Sequence, residues 1–280
     1  MIDALSQSFV LSALQVSIIM GLLLAFLGVH VVSRGIVFVD LALGQISMLG
    51  VAFAAYVEDD PTLIGILFTV VGAFLLSLLK VTDRRLKQEA LIGIVYAVAA
   101  ALTVLLISKA PHGEADISEV MFGSFFTVTP ERLLLTAIVF GVIGLLHVIF
   151  RKQFTALTER FEEGNADSVG LFNPWNVLFY LSLGLAIVLA VRIGGVIPVF
   201  SYIVVPPVAA MLLATGRRSV ILIALLVSFL GSVFGILFAV QFDFPAGSSV
   251  VAVLGAAVAT SGLLRVVIRR RRNGASAQTD

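Results

Sequence analysis

Read for polarity alone, the chain is a succession of apolar stretches parted by short polar joints. Nine stretches of about 20 residues stand out, at about 9–32, 36–57, 61–80, 90–108, 131–150, 174–192, 195–215, 219–240 and 248–268. As a helix, each is long enough to cross the hydrocarbon core of a bilayer, and none alternates as a transmembrane barrel strand must. The pattern predicts an all-α fold, a polytopic transmembrane helical bundle of about nine spans, with eight as the other count, forming one domain over residues 1–280. Pro and Gly collect at the joints, as in Asp60-Pro61, Thr129-Pro130, Asn173-Pro174, Gly194-Gly195 and Pro245-Ala246-Gly247. Within spans, small residues at one-turn spacing, such as Gly231 and Gly235, predict close helix approach.

Composition sharpens the class. Of 280 residues, 60% are hydrophobic and 12% charged, where a soluble domain carries about 25% charged residues. That excludes a soluble enzyme, a nucleic-acid binder and a disordered chain. With no Cys there is no disulfide, thiolate metal site or cysteine nucleophile.

The net charge of +1 says little, but its distribution orients the chain. Arg34, then Lys80, Arg84, Arg85 and Lys87, then Arg151, Lys152 and Arg160, then Arg217 and Arg218, and finally Arg265 and Arg269 to Arg272 occupy alternate joints and the tail. The other joints hold only Lys109, Arg132 and Arg192. Cations stay cytoplasmic, so the expectation is an outside N-terminus, a cytoplasmic C-terminus and a multi-pass protein of the cell (inner) membrane. The opening MIDALSQS lacks Lys and Arg, so the first span reads as retained. The terminal arginine run reads as an anchor beside anionic membrane lipid.

Few polar residues lie deep in the spans. Asp40 is the acid set inside an apolar stretch, six residues beyond Arg34, and Gln45 and Ser47 follow on the same segment. A charge near the bilayer centre costs at least about 2.5–3.5 kcal/mol, so such residues are either a substrate pathway or an interhelical hydrogen-bonding cluster. VIPVFSYIVVPP, residues 196–207, carries three prolines. It predicts a kinked interior span with Ser201 and Tyr202 on or near a cavity, or a packing kink. His30, His112 and His147 make no ligand spacing, and there is no P-loop and no nucleophile–base set. The longest basic-side loop, 151–173, holds Glu159, Glu162 and Glu163 followed by Gly164, Ala166 and Gly170, a docking surface or a solvated loop.

Six segments, in order, resemble one family. They are VDLALGQISMLGVAFA, ALIGIVYAVAAAL, DISEVMFGSFFTVTPERLLL, FEEGNADSVGL, GGVIPVFSYIVVPPVAAMLLA and FDFPAGSSVVAV. Together they resemble the integral-membrane permease subunits of ABC importers for divalent metals (zinc, manganese and iron). The resemblance implies a homodimer around a shared pathway, two cytoplasmic ABC ATPase subunits that hold the ATP and Mg, and an extracytoplasmic solute-binding protein. It implies no enzyme activity and no cofactor in this chain. It implies that Glu162, Glu163, Gly164, Ala166 and Gly170 of the 151–173 loop meet the ATPase, and that Asp40 is the metal-facing acid of a pathway shared with Gln45, Ser47, Ser201 and Tyr202. One departure stands out. Registered on LGVAF, the family's pathway Asp and His fall on Leu41 and Gln45, so the acid is displaced to Asp40 and the imidazole replaced by an amide, a poor zinc ligand. A bare ion, a chelate and a non-metal solute therefore all stay open as cargo. The rival outside the family is an ion-gradient-driven secondary transporter.

Overall fold

The computed structural model describes residues 7–57, 60–79, 86–108, 125–164 and 169–276, with side chains to residue 268. Among these residues there is no strand. The helices are α1 (Ser8–Arg34), α2 (Val39–Val57), α3 (Pro61–Ser77), α4 (Gln88–Ile107), α5 (Pro130–Ile149), α6 (Arg151–Glu162), α7 (Pro174–Gly194), α8 (Val196–Leu213), α9 (Arg217–Phe242) and α10 (Ala246–Ser276), with a 3-10 turn at Phe125–Thr127. Eight are long and apolar enough to cross a membrane. Ala166, Lys80, Arg84, Arg85, Lys109 and His112 lie outside the described residues.

Local chemistry explains the helix ends. The three X-Pro joints are N-caps followed by Pro at the first helical position, where its missing N–H costs nothing. Asp60 accepts from the Thr62 amide at 2.7 Å, Thr129 from the Arg132 amide at 3.4 Å, and Asn173 from the Trp175 and Asn176 amides at 3.1 Å. The Thr62 amide, with help from Arg192, holds the Asp60 carboxyl below the usual carboxylate range. Helix α1 closes on Gly35, whose φ of +67° is left-handed, while the Ile36 amide reaches back to the Val31 carbonyl.

The short helix α3 runs beside α7 from end to end. Arg192, in the last turn of α7, donates to the Thr62 hydroxyl at 2.6 Å and the Pro61 carbonyl at 2.8 Å. At the other end Asn176, in the first turn of α7, donates to the Ser77 carbonyl at 2.8 Å. So α3, about 25 Å long, reaches from one end of α7 to the other, a shorter apolar helix beside the eight of spanning length among the described residues.

One expectation changes. Half of the 151–173 segment is not loop: Arg151–Glu162 is helix α6, with Phe154, Leu157 and Thr158 buried. Helix α8 is interior, as expected, and continues through Pro206 and Pro207, both of them buried. Pro207 has no N–H for the Ile203 carbonyl, and that carbonyl lies against Gly28 of α1, where any Cβ would overlap it. The backbones cross there in direct contact. A comparable crossing joins α9 to α10, where a Cβ on Gly235 would lie 2.6 Å from Val250 Cα, and Gly231 sits under Leu254.

Tyr202 closes the centre of the bundle. Its hydroxyl lies 2.7 Å from Ser17 Oγ and 2.6 Å from Ser232 Oγ, and Ser232 in turn donates to the Ser17 carbonyl at 3.1 Å. One ring thereby ties α1, α8 and α9. The outer faces of α4, α5 and α10 stay apolar and open, as at Leu105, Leu134 and Leu263 (64%, 62% and 70% exposed). Such faces suit lipid rather than water.

Replacing Gly28 by Ala should destabilise the detergent-solubilised protein by about 1–3 kcal/mol through overpacking, read as a lower thermal midpoint. Gly141→Ala, where a Cβ meets nothing within 4 Å, should leave the midpoint unchanged.

Candidate functional site

Two regions hold the residues singled out by the sequence. The first is α2. Because the helix starts at Val39, Asp40 lies in its first turn, only 2% exposed. Neither carboxylate oxygen completes a hydrogen bond of good geometry; the donors turned toward it are the amides of its own turn, at Asp40 and Leu41, at the positive end of the helix dipole. Ser47, seven residues on, shares its face and is buried, and between them Gly44 faces Val191 and Val196 of the α7–α8 corner. Gln45 is half-buried and stands about 140° around the helix from Asp40, so the two do not converge.

The α8 residues are placed differently from expectation. Tyr202 is fully enclosed and its hydroxyl is taken up by Ser17 and Ser232, so it closes the bundle rather than lining a space. Ser201 is turned back on its own helix, donating to the Ile197 carbonyl at 2.9 Å. Neither bonds to Asp40. Among the described residues no group of three or more His, Asp or Glu stands close enough to hold a metal ion, so Asp40 belongs to no such group there.

The second region is the basic end of the bundle, where α6 is tied to the spans. Arg34, the last residue of α1, is 7% exposed. It donates through Nε to Thr158 Oγ1 of α6 at 3.0 Å and through Nη1 to Asn176 Oδ1 of α7 at 3.4 Å. Its Cζ lies 3.8 Å from the Phe179 ring centroid and 5.5 Å from that of Phe161, so ring faces meet the part of the cation that hydrogen bonds leave bare. His30 Nδ1 lies 2.9 Å from the same Thr158 Oγ1, while that hydroxyl donates to the Phe154 carbonyl at 2.9 Å. His147 of α5 stacks on Phe154 with centroids 4.2 Å apart. One threonine thus gathers α1 and α6, with α5 and α7 held against the pair. Tyr180 extends the network to α4, accepting from Gln88 Nε2 at 3.2 Å.

This platform frames a cleft of about 700 Å³ lined by Arg34, Gln88, Phe161, Glu162, Gly164 and Gly170. Three of the sequence-selected loop residues therefore meet in one place. Glu162 pairs with Arg217 of α9 at 3.0 Å, and Gly164 holds a φ of +73°, in the left-handed region that favours glycine. Glu163 caps the helix on the exposed side. The sequence reading missed Arg34, which it used only for orientation, and His30 and Thr158. It also missed Leu171 and Phe172, exposed apolar residues beside the glutamates (48% and 68%). Two adjacent large apolar residues in a polar loop were the available signal.

Thr158→Val keeps the shape but strips the acceptor from Arg34 and the partner from His30. It should cost about 1–3 kcal/mol, seen as a lower thermal midpoint, whereas Thr158→Ser should retain most of the stability.

Comparison with known proteins supplies the family. The model of the ABC 3 transport family matches residues 6–264. The chain is 28% identical over 257 residues to the manganese transport system membrane protein MntB of Synechocystis sp., covering 91% of this chain and 82% of that one. It is 27% identical over 253 residues to the chelated iron transport system membrane protein YfeC of Yersinia pestis, covering 90% and 84%. Among solved structures, PsaBC from Streptococcus pneumoniae in complex with Fab superposes with a TM-score of 0.76 at 27% identity, over 93% of each chain. A metal-chelate type ABC transporter in an inward-facing conformation shares the fold, with a TM-score of 0.67 at 21% identity over 92% of this chain and 86% of that one. With the family model spanning nearly all of its helices, the chain belongs to the ABC 3 transport family and is a multi-pass membrane permease.

Proposed function

We propose that this permease takes up a divalent transition metal, as the ion or as a chelate, in an ABC importer whose ATP hydrolysis occurs in a separate subunit. The observation that carries the reading is similarity along almost the whole chain to permeases named for manganese and chelated iron transport. The working unit is a homodimer with two cytoplasmic ATPase subunits and an extracytoplasmic solute-binding protein, with the N-terminus outside and the basic end in the cytoplasm.

In this reading the ATPase seats on the cleft flanked by Glu162, Glu163, Gly164 and Gly170, with Ala166 in the same stretch and Leu171 and Phe172 as apolar anchors. Movement of that subunit then drives α6, and Thr158 passes the displacement to Arg34 and His30 at the end of α1. From Arg34 only four residues lead to α2 and Asp40. A rotation of α1 therefore changes the setting of the buried carboxylate, which is what alternating access needs: different contacts for the cargo in the two states. Asp40 serves as the cation-attracting group of the pathway, and Ser47, on the same face, borders it. Gln45 borders the path where the family has an imidazole, and Ser201 and Tyr202 act on it through helix packing. A second reading, carriage of a chelate rather than a bare ion, draws on Gln45 standing where the family has an imidazole: an amide and one carboxylate per chain are a weak cage for an unchelated transition metal.

Uptake of radiolabelled manganese, iron and zinc by the reconstituted transporter tests the cargo. Asp40→Asn should reduce uptake at least tenfold, and Gln45→His should raise uptake of the free ion. Normal uptake in Asp40→Asn would remove α2 from the pathway. For docking, Glu162→Arg should abolish transport-coupled ATPase activity, and adding Arg217→Glu should restore the ion pair without restoring coupling. Recovery of coupling in the double variant would assign Glu162 to bundle stability instead.

A further inference from the structure

On the other side of α6 from the docking cleft lies a second cleft, of about 630 Å³, between the α5–α6 elbow and the start of α9. Its walls are apolar, formed by Phe26, Val148, Ala156 and Ile221. Its rim is cationic: Arg151 and Lys152 open α6, and Arg217 and Arg218 open α9. Glu159 is the acid on this rim and Glu162 offsets Arg217, so Arg151, Lys152 and Arg218 against Glu159 leave an excess of positive charge. Arg217 Nη1 is buried and makes no hydrogen bond, so Glu162 does not use the whole guanidinium. The two helices also start here without side-chain caps, after Phe150 and Gly216, and their free amides add positive potential.

We infer that this cleft binds the phosphate headgroup of an anionic phospholipid, with Arg151, Lys152, Arg217 and Arg218 holding the phosphate and the acyl chain running up the groove between α5 and α9. The course of the groove favours a lipid over a soluble anion. Above the rim the flanking helices expose apolar side chains, Leu145 and Val148 on α5 and Leu222 on α9, each at least 58% exposed. A headgroup at the cations therefore places its tail against side chains that already require hydrocarbon. The two buried histidines at the floor are engaged elsewhere, His30 with Thr158 and His147 Nδ1 with the Ile143 carbonyl, so they do not compete for the phosphate. The lipid would buttress α6 from the side opposite the docking cleft. The assignment stands independently of the cargo and of the ATPase.

Native mass spectrometry of the full chain in detergent, titrated with phosphatidylglycerol or phosphatidylcholine, tests it. The wild type should retain phosphatidylglycerol preferentially, and the triple variant R151Q/K152Q/R218Q should bind it about tenfold or more weakly. Millimolar inorganic phosphate should not displace it, and R269Q/R270Q/R271Q/R272Q in the tail should bind as the wild type does. Equal retention of the two lipids, undiminished binding in the triple variant, displacement by free phosphate or an equal loss in the tail variant would each overturn the assignment. Should the triple variant not fold, the headgroup comparison on wild type and the single variant Arg218→Gln, expected to bind severalfold more weakly, decide it.

Discussion

A guanidinium withdrawn from water at the end of α1 sets the terms for one end of this molecule. Arg34 is too buried to be solvated, so its charge must be met inside the protein, by Thr158 from α6, Asn176 from α7 and the faces of Phe179 and Phe161. A buried cation without partners costs several kcal/mol, so these groups hold each other in place. Asn176 carries the constraint to α3 through the Ser77 carbonyl, and Thr158 carries it to His30. Four helices, α1, α3, α6 and α7, thereby lose their freedom to slide independently at the end where the amphipathic helix α6 lies across the bundle.

The same economy recurs elsewhere. Hydrocarbon offers no water to a polar group, and most buried hydroxyl, amide and guanidinium groups among the described residues find a partner on another helix or on their own backbone, the Ser228 and Ser249 hydroxyls aside. Tyr202 joins Ser17 and Ser232 at the centre, and Arg192 clasps Pro61 and Thr62 at the far end. Apolar packing between helices does not by itself distinguish protein from lipid. The discriminating contacts are these polar clasps and the crossings at Gly28 and Gly235, where a missing side chain lets backbones touch.

Asp40 is the acid among the exceptions in the described residues. It is as buried as Arg34 yet neither of its oxygens is hydrogen-bonded. In the reading proposed above this carboxylate is where the cation acts, and its position just past the α1–α2 joint places it four residues of connecting chain from the Arg34 platform.

Much of this could be read from the chain alone. Hydrophobic runs of bilayer length mark the spans, the X-Pro pairs mark three helix starts with their caps, and the clustering of Lys and Arg marks one end of the bundle, because each depends only on residues close in sequence. The amphipathic character of 151–162 was partly visible in its charges, but whether it formed a helix depended on burial of Phe154 and Thr158 against α1 and α5, which no local pattern reveals. Likewise Arg34 looked like one more orienting cation, and Tyr202 like a cavity residue. Their partners lie more than 100 residues away for Arg34, and 185 and 30 residues away for Tyr202. The approximate places of the spans, the three X-Pro helix starts and the family were determined by the sequence itself, through composition, period and motif order. Which polar residues are structural clasps and which is left free was decided only by tertiary packing, since a hydrogen bond in hydrocarbon depends on which helix faces which.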